Sequence, residues 1–217
     1  MCALRQESAA MTCLLDVNKL SCVRGGRTLF SGVTTQLPAG HVLRVQGLNG
    51  AGKTSLLRIL CGLLTPEEGE VRWQGVRISS LREAYARKLI YLGHAAALKD
   101  DLSPVENLTV SCTLAGAAVS ERQARKALSD AGLRGCEHLM VSRLSQGQRR
   151  RSALARLALG FGAPLWVLDE PFNALDVSAT QWLAGLIRDH VHAGGMVVLT
   201  SHQEVPLDGL PQLVLNL

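Results

Sequence analysis

Gly47-Leu48-Asn49-Gly50-Ala51-Gly52-Lys53-Thr54-Ser55 decides how the rest of the chain is read. Two glycines with four residues between them, then a lysine and a hydroxyl residue, make the phosphate-loop pattern. Val42-Leu43-Arg44-Val45-Gln46 precedes it as a buried strand, and Leu56, Leu57, Ile59 and Leu60 follow on an apolar helix stopped at Gly62. The loop therefore sits between strand and helix, the context the motif needs. Its glycines let successive backbone N–H groups converge on one anion at the positive end of a helix. Lys53 is expected to reach the β- and γ-phosphates of a nucleoside triphosphate, and the Thr54 hydroxyl to bind Mg²⁺.

Before the loop, residues 13–46 alternate apolar stretches with Gly25-Gly26 and Pro38-Ala39-Gly40, which predicts short antiparallel strands leading into the loop strand. After it, Glu70 to Trp73 reads as a strand, Leu81 to Lys88 as a short helix and Leu89 to Gly93 as a buried strand. From His94 to Arg156 strand signals vanish. Ser103 before Pro104, Ser120 before Glu121-Arg122-Gln123, and Ser145 each suit a helix start, and Ala131-Gly132 a stop. Strand and helix alternation returns with Leu165 to Leu168, Ser178 to Val191 and Met196 to Thr200. The prediction is one α/β domain over 1–217. Its β subdomain and loop part of the core cover 13–93, an inserted helical lobe 94–156, and the rest of a parallel core 157–217. No regulatory extension is expected after the last strand.

The 217 residues are 47% apolar and 19% charged, which excludes a disordered chain and supports a sizeable core. A net charge of +5 suits anionic ligands, nucleic acid or a lipid surface without choosing among them. None of the six cysteines forms a Cys-x-x-Cys pair or has a histidine at zinc-site spacing. A reducing compartment is expected, which for an ATP user means the cytoplasm. Residues 1–11 lack a signal core, and the apolar run Leu157–Leu168 is too short to cross a bilayer, so membrane association must come through a partner.

Two further stretches carry chemistry. Leu165-Trp166-Val167-Leu168-Asp169-Glu170-Pro171 is an apolar strand ending in two acids. Beside a phosphate loop, the first acid is placed to hold Mg²⁺ and the second to polarise the water that attacks the γ-phosphate. Asp169 is the candidate metal residue with Thr54, and Glu170 the candidate general base. Leu144-Ser145-Gln146-Gly147-Gln148 opens a helix through Arg149-Arg150-Arg151, and its serine and close-approach glycine suit a phosphate-facing surface. The arginine run reads as a solvated helix face.

The ordered set of Gly47 to Ser55, Leu144 to Gln148, Leu165 to Pro171, Ala174-Leu175-Asp176 and His202 resembles the ATP-binding-cassette ATPase subunits over nearly the whole chain. The resemblance implies a phosphate-loop ATPase with an antiparallel β subdomain and a helical lobe, working with ATP and Mg²⁺ as a homodimer beside an integral membrane permease. Ser145 and Gly147 would close on the ATP held by the partner's Gly47, Asn49, Gly50, Ala51, Gly52, Lys53, Thr54 and Ser55. Asp176 would lie at the dimer seam, and His202 would align the attacking water with Glu170.

Two positions depart from the family pattern. Arg24 stands where an aromatic residue usually stacks on adenine. Either its guanidinium plane stacks instead or it is a solvated arginine. Ala95 stands where a glutamine is expected, and alanine has no side-chain donor or acceptor. Either His94 substitutes for it, or hydrolysis and coupling are weak and the protein is an ATP-dependent clamp.

Within the family, Cys22 to Phe30, Leu92-Gly93-His94 and Leu165 to Phe172 are similar to the haem-exporter branch of cytochrome c maturation. That likeness implies the cytoplasmic face of a bacterial inner membrane. Haem would be handled only through the complex, since the sequence carries no Cys-x-x-Cys-His. No nucleic-acid partner is expected, because cassettes of that kind carry a long coiled-coil insertion or a second cassette. Another small-molecule substrate is the alternative.

Overall fold

The computed structural model describes residues 13–159, 162–201 and 205–217. Cys13–Arg24 (β1) and Arg27–Pro38 (β2) form an antiparallel hairpin turned by Gly25 and Gly26, which take φ of 55° and 74°. β1 also pairs antiparallel with Glu68–Trp73 (β4), and β4 with the two-residue Val76–Arg77 (β5), giving the order β2-β1-β4-β5.

The second sheet is wholly parallel, in the order β6-β7-β8-β3-β9. It is built from Val42–Gln46 (β3), Leu89–Leu92 (β6), Leu165–Leu168 (β7), Met196–Thr200 (β8) and Gln212–Asn216 (β9). β7 and β8 are buried at every position, because helices cover both faces. Leu56, Leu57, Ile59 and Leu60 of Lys53–Leu60 (α1) pack on one face with Leu43, Val45, Val167 and Val198. Leu183, Ile187 and Val191 of Val177–His192 (α7) pack on the other with Val42, Trp166, Leu168 and Val197. The alternation along each strand divides the apolar residues between these two layers.

Two details differ from the sequence expectation. The segment expected to form one helix from Leu81 to Lys88 forms two single turns, Ile78–Leu81 (α2) and Glu83–Ala86 (α3). Arg82 between them takes φ of 43°, which no helix accommodates. A fifth parallel strand, β9, also follows the segment that had been read as the last one.

Between β6 and β7 lie Pro104–Leu114 (α4), Glu121–Asp130 (α5) and Gln146–Ala158 (α6). Each begins at a serine whose hydroxyl accepts from the N3 amide while the N3 side chain returns a bond: Ser103 with Glu106, Ser120 with Gln123, Ser145 with Gln148. Val105, Leu108, Ala124, Leu128 and Ala155 form a separate apolar core among these helices. Leu154 and Leu157 of α6 instead enter the core beside Ile90 and Trp166, so α6 packs both into the lobe core and against the parallel sheet. Cys22, Cys61 and Cys112 are buried free thiols, and burial pushes Cys61 up to about 12. No helix among the described residues is long and apolar enough to cross a membrane.

Candidate functional site

The C-terminal ends of β3, β7 and β8 converge on one edge of the parallel sheet, where open α/β sheets place ligands. The loop after β3 owes its shape to close packing. A Cβ on Gly52, at φ of 99°, would lie 2.9 Å from Leu29 Cβ and 3.0 Å from the Phe30 ring. One on Gly47 would lie 2.9 Å from the Leu217 carbonyl oxygen. Gly52 is also the N-cap of α1 and brings no side-chain cap, and the first turn carries no acid. The positive end of α1 is therefore left for an external anion. Lys53, only 7% exposed, curls back so that Nζ donates to the carbonyls of Gly47 (2.8 Å) and Leu48 (3.0 Å).

Asp169, 2% exposed at the end of β7, is held from two sides. Thr54 Oγ1 donates to its Oδ2 and Thr200 Oγ1 to its Oδ1, each at 2.8 Å. Thr200 Oγ1 in turn accepts from the Glu170 amide at 2.8 Å. Threonine hydroxyl and buried carboxylate thus meet at the foot of the loop. An all-oxygen pair fits Mg²⁺, which keeps several waters and takes few protein ligands beside substrate phosphates. Among the described residues no cluster of three or more His, Cys, Asp or Glu offers a different kind of metal site.

Glu170 takes φ of 49°, rare for a side chain of its size. Its Oε2 lies 3.5 Å from His94 Nδ1 on the loop after β6. Ala95 is exposed beside it, at the margin of a cleft of about 480 Å³ between the sheet edge and the helical lobe. His202 lies outside the described residues.

The other expected residues form a second group. Ser145 is exposed at the start of α6, its hydroxyl accepting from the Gln148 amide at 3.2 Å. A Cβ on Gly147 would stand 3.1 Å from the Ala174 carbonyl oxygen, so the helix start lies against the loop after β7. Asp176 caps α7, Oδ1 accepting from the Ala179 amide at 2.8 Å, and its Oδ2 is 3.7 Å from Arg151. Among the described residues no hydrogen bond or ion pair joins Ser145 or Gly147 to the phosphate loop. Arg24 is exposed at the end of β1.

The arginine run departs from the solvated face expected of it. Arg149 Nη1 lies 2.8 Å from Asp100 Oδ1, and Arg151 donates to the Gly132 carbonyl at 3.3 Å. Arg150 is only 7% exposed, and its guanidinium donates to the carbonyls of Gly93, His94, Asp169 and Glu170. Helical phase explains the burial. Positions 150, 153, 154 and 157 share one stripe, and Ala153, Leu154 and Leu157 are core residues. Burial pulls the Arg150 guanidinium below its ordinary value, while the charges of Asp169 and Glu170 oppose that shift.

Sequence reasoning also missed Thr200 and Asn107. Thr200 was read only as a strand end. Asn107 bonds both backbone groups of Lys99 (2.7 and 3.0 Å) and so ties down the chain leading into α4. A polar residue on the buried side of a strand or helix was the available signal.

With this geometry in place, comparison with known proteins is informative. The family model described as ABC transporter matches residues 30–173. The chain is 53% identical over 190 residues to the cytochrome c biogenesis ATP-binding export protein CcmA of Nitrosospira multiformis, covering 88% of this chain and 92% of that one. It is 51% identical over 206 residues to the protein of the same name from Aromatoleum aromaticum, covering 95% and 96%. Among solved structures it is similar to a putative ABC transporter ATP-binding protein from Pyrococcus furiosus (TM-score 0.78, 26% identity, 93% and 96% covered). A dimeric ATP-binding cassette in a post-hydrolysis state, bound to ADP and Pi, also matches (TM-score 0.73, 25% identity, 88% of each chain).

Proposed function

The chain belongs to the ABC transporter family, and on that footing we propose that it is the ATP-hydrolysing subunit of the exporter that serves cytochrome c biogenesis. The likeness to the export proteins named above supports the biological role. One observation carries the chemistry: Thr54, Asp169, Thr200 and the Glu170 amide form a continuous hydrogen-bonded chain from the start of α1 across the ends of β7 and β8. That chain sets a buried carboxylate at the foot of the phosphate loop and aims the next carboxylate out of the strand.

In this reading the loop amides and Lys53 bind the triphosphate, and Lys53 exchanges the Gly47 and Leu48 carbonyls for phosphate oxygens. Thr54 and Asp169 hold Mg²⁺, which neutralises charge on the phosphates when bound. Glu170 takes the proton of the attacking water. Arg24 lies against the adenine, and His202 assists at the γ-phosphate. Ser145, Gly147 and Asp176 complete the site of a second copy, consistent with the lack, among the described residues, of a hydrogen bond or ion pair from Ser145 or Gly147 to their own phosphate loop. The working unit is a homodimer held to a membrane permease at the cytoplasmic face of the inner membrane, and haem is handled only by the complex. That Arg149, Arg150 and Arg151 are each engaged within the chain supports a reading without a nucleic-acid partner.

Glu170→Gln in the intact complex should bind ATP, lose at least about 100-fold in turnover and accumulate as an ATP-bound dimer. Wild-type turnover in that variant would remove Glu170 as the base. Ala95 favours a second reading, a clamp that hydrolyses slowly; a wild-type rate equal to that of Lys53→Ala would select it.

A further inference from the structure

One buried charge is not accounted for by nucleotide binding. Arg150 belongs to α6, which runs from the exposed Ser145 down to the lobe core. Its Nη1 donates to the carbonyls of Gly93 (2.9 Å) and His94 (3.3 Å) on the loop after β6. Its Nη2 donates to the carbonyls of Asp169 (2.7 Å) and Glu170 (2.9 Å) after β7. A planar guanidinium presents its donors in a rigid fork, so one side chain fixes the two loops relative to each other and to the helix.

The Glu170 peptide shows why such a fork is needed. Its left-handed backbone is strained and persists only where the surroundings over-determine it. Its amide donates to Thr200, and its carbonyl accepts from Arg150 as well as from the Asn173 amide at 3.1 Å, so both ends are held by side chains of other elements. Beside the Asp169 amide bond to the Leu92 carbonyl at 2.8 Å, His94 approaches Glu170 at 3.5 Å with its side chain largely exposed, and the Ala95 side chain offers no polar atom. A displacement of α6 therefore reaches the Glu170 carbonyl directly through Arg150.

We propose that Arg150 is the positioning residue of the hydrolytic step, transmitting the placement of the helix that begins at Ser145 to the backbone of the general base and to the His94 loop. This rests on Glu170 being the base. The role predicts a loss confined to turnover. Misplacing a reacting group by about 1 Å costs on the order of 100-fold, whereas the triphosphate is held by the phosphate loop, to which Arg150 makes no hydrogen bond among the described residues.

The test compares Arg150→Met and Arg150→Lys in the complete complex, reading kcat, ATP affinity at equilibrium and amide hydrogen exchange. Met keeps an unbranched stem on the stripe with Leu154 and Leu157 but removes all the donors. Its kcat should fall about 30- to 100-fold with ATP affinity within threefold of wild type. Lys, a point charge that cannot span both loops, should recover part of that loss. With ATP added, amides 93–96, 170 and 172–174 should gain protection together in wild type and independently in Arg150→Lys. A Met variant with kcat within threefold of wild type would overturn the proposal, as would an ATP affinity that falls in step with kcat. If Met does not fold, Lys decides: full kcat with concerted protection overturns the role, and reduced kcat with uncoupled protection supports it. Failure of the base assignment is read separately, from turnover by Glu170→Gln with Arg150 intact.

Discussion

Replacing Thr200 by valine removes one hydroxyl and leaves the side-chain shape nearly unchanged. Thr200 is fully buried, so no water replaces what is lost. Its hydroxyl donates to the Asp169 carboxylate and accepts from the Glu170 amide, both at 2.8 Å. A hydrogen bond to a charged group contributes about 1.5–3 kcal/mol, and a buried amide left unpaired costs about 1–3 kcal/mol. The added methyl returns about 0.8 kcal/mol. The expected net loss is roughly 2–5 kcal/mol, which for a chain of this size lowers the melting temperature by about 5–15 °C. Thr200→Ser keeps the hydroxyl and gives up a methyl, for about 1 kcal/mol. Thermal unfolding followed by intrinsic fluorescence without nucleotide ranks the three proteins. A valine variant within about 1 kcal/mol of wild type, or a serine variant as weak as valine, would refute the view that this hydroxyl links the two acids.

Two further perturbations test other parts of the structure. Gly52→Ala combines a left-handed backbone with a 2.9 Å clash against Leu29 Cβ, whereas Gly50→Ala at φ of 82° points into open space. The first should lose about 2–4 kcal/mol together with ATP binding, and the second about 1–2 kcal/mol; equal costs measured by urea unfolding would contradict the packing described for the loop. His190 stacks on Trp166 with ring centroids 3.9 Å apart, and burial lowers its pKa against the opposing backbone groups of Met196 and Pro164. Because the folded imidazole resists protonation, its contribution is complete above the ordinary imidazole value of 6.5 and is lost as the pH falls below it. His190→Phe keeps an aromatic ring on Trp166, so the urea midpoint should drop less between pH 7.5 and 5.5 than in wild type; matching acid slopes would exclude the effect.

The phosphate loop, the acidic strand and all the lobe helix starts were legible in the sequence, because each depends on local chemistry. Ser103, Ser120 and Ser145 announce helices through bonds that span three residues. Arg150 was misread for the opposite reason. Its neighbours Arg149 and Arg151 made it look solvated, although its spacing from Ala153, Leu154 and Leu157 put it on the buried stripe. Thr200 acquires its role only when β7 comes to lie beside β8, a relation no local pattern announces. The break at Arg82 is likewise set by surroundings, since nothing in its chemistry favours φ of 43°. Ala95 was visible as a departure, but the guanidinium two loops away was not.

The strand that carries the phosphate loop is built late. β3 lies at residues 42–46, yet its neighbours are β8 and β9, at 196–200 and 212–216. On a ribosome adding about 5–20 residues per second, β3 waits roughly 8–30 s for its partners, with Val42, Leu43 and Val45 uncovered. The β1-β2-β4 sheet needs nothing beyond Trp73 and can close first. A nascent chain stalled before Gln212 leaves one edge of β3 open and Gly47 without the Leu217 backbone against which it packs. The packing of the phosphate loop therefore waits for β9 and Leu217, and an ATP analogue added during synthesis would report closure of that sheet edge.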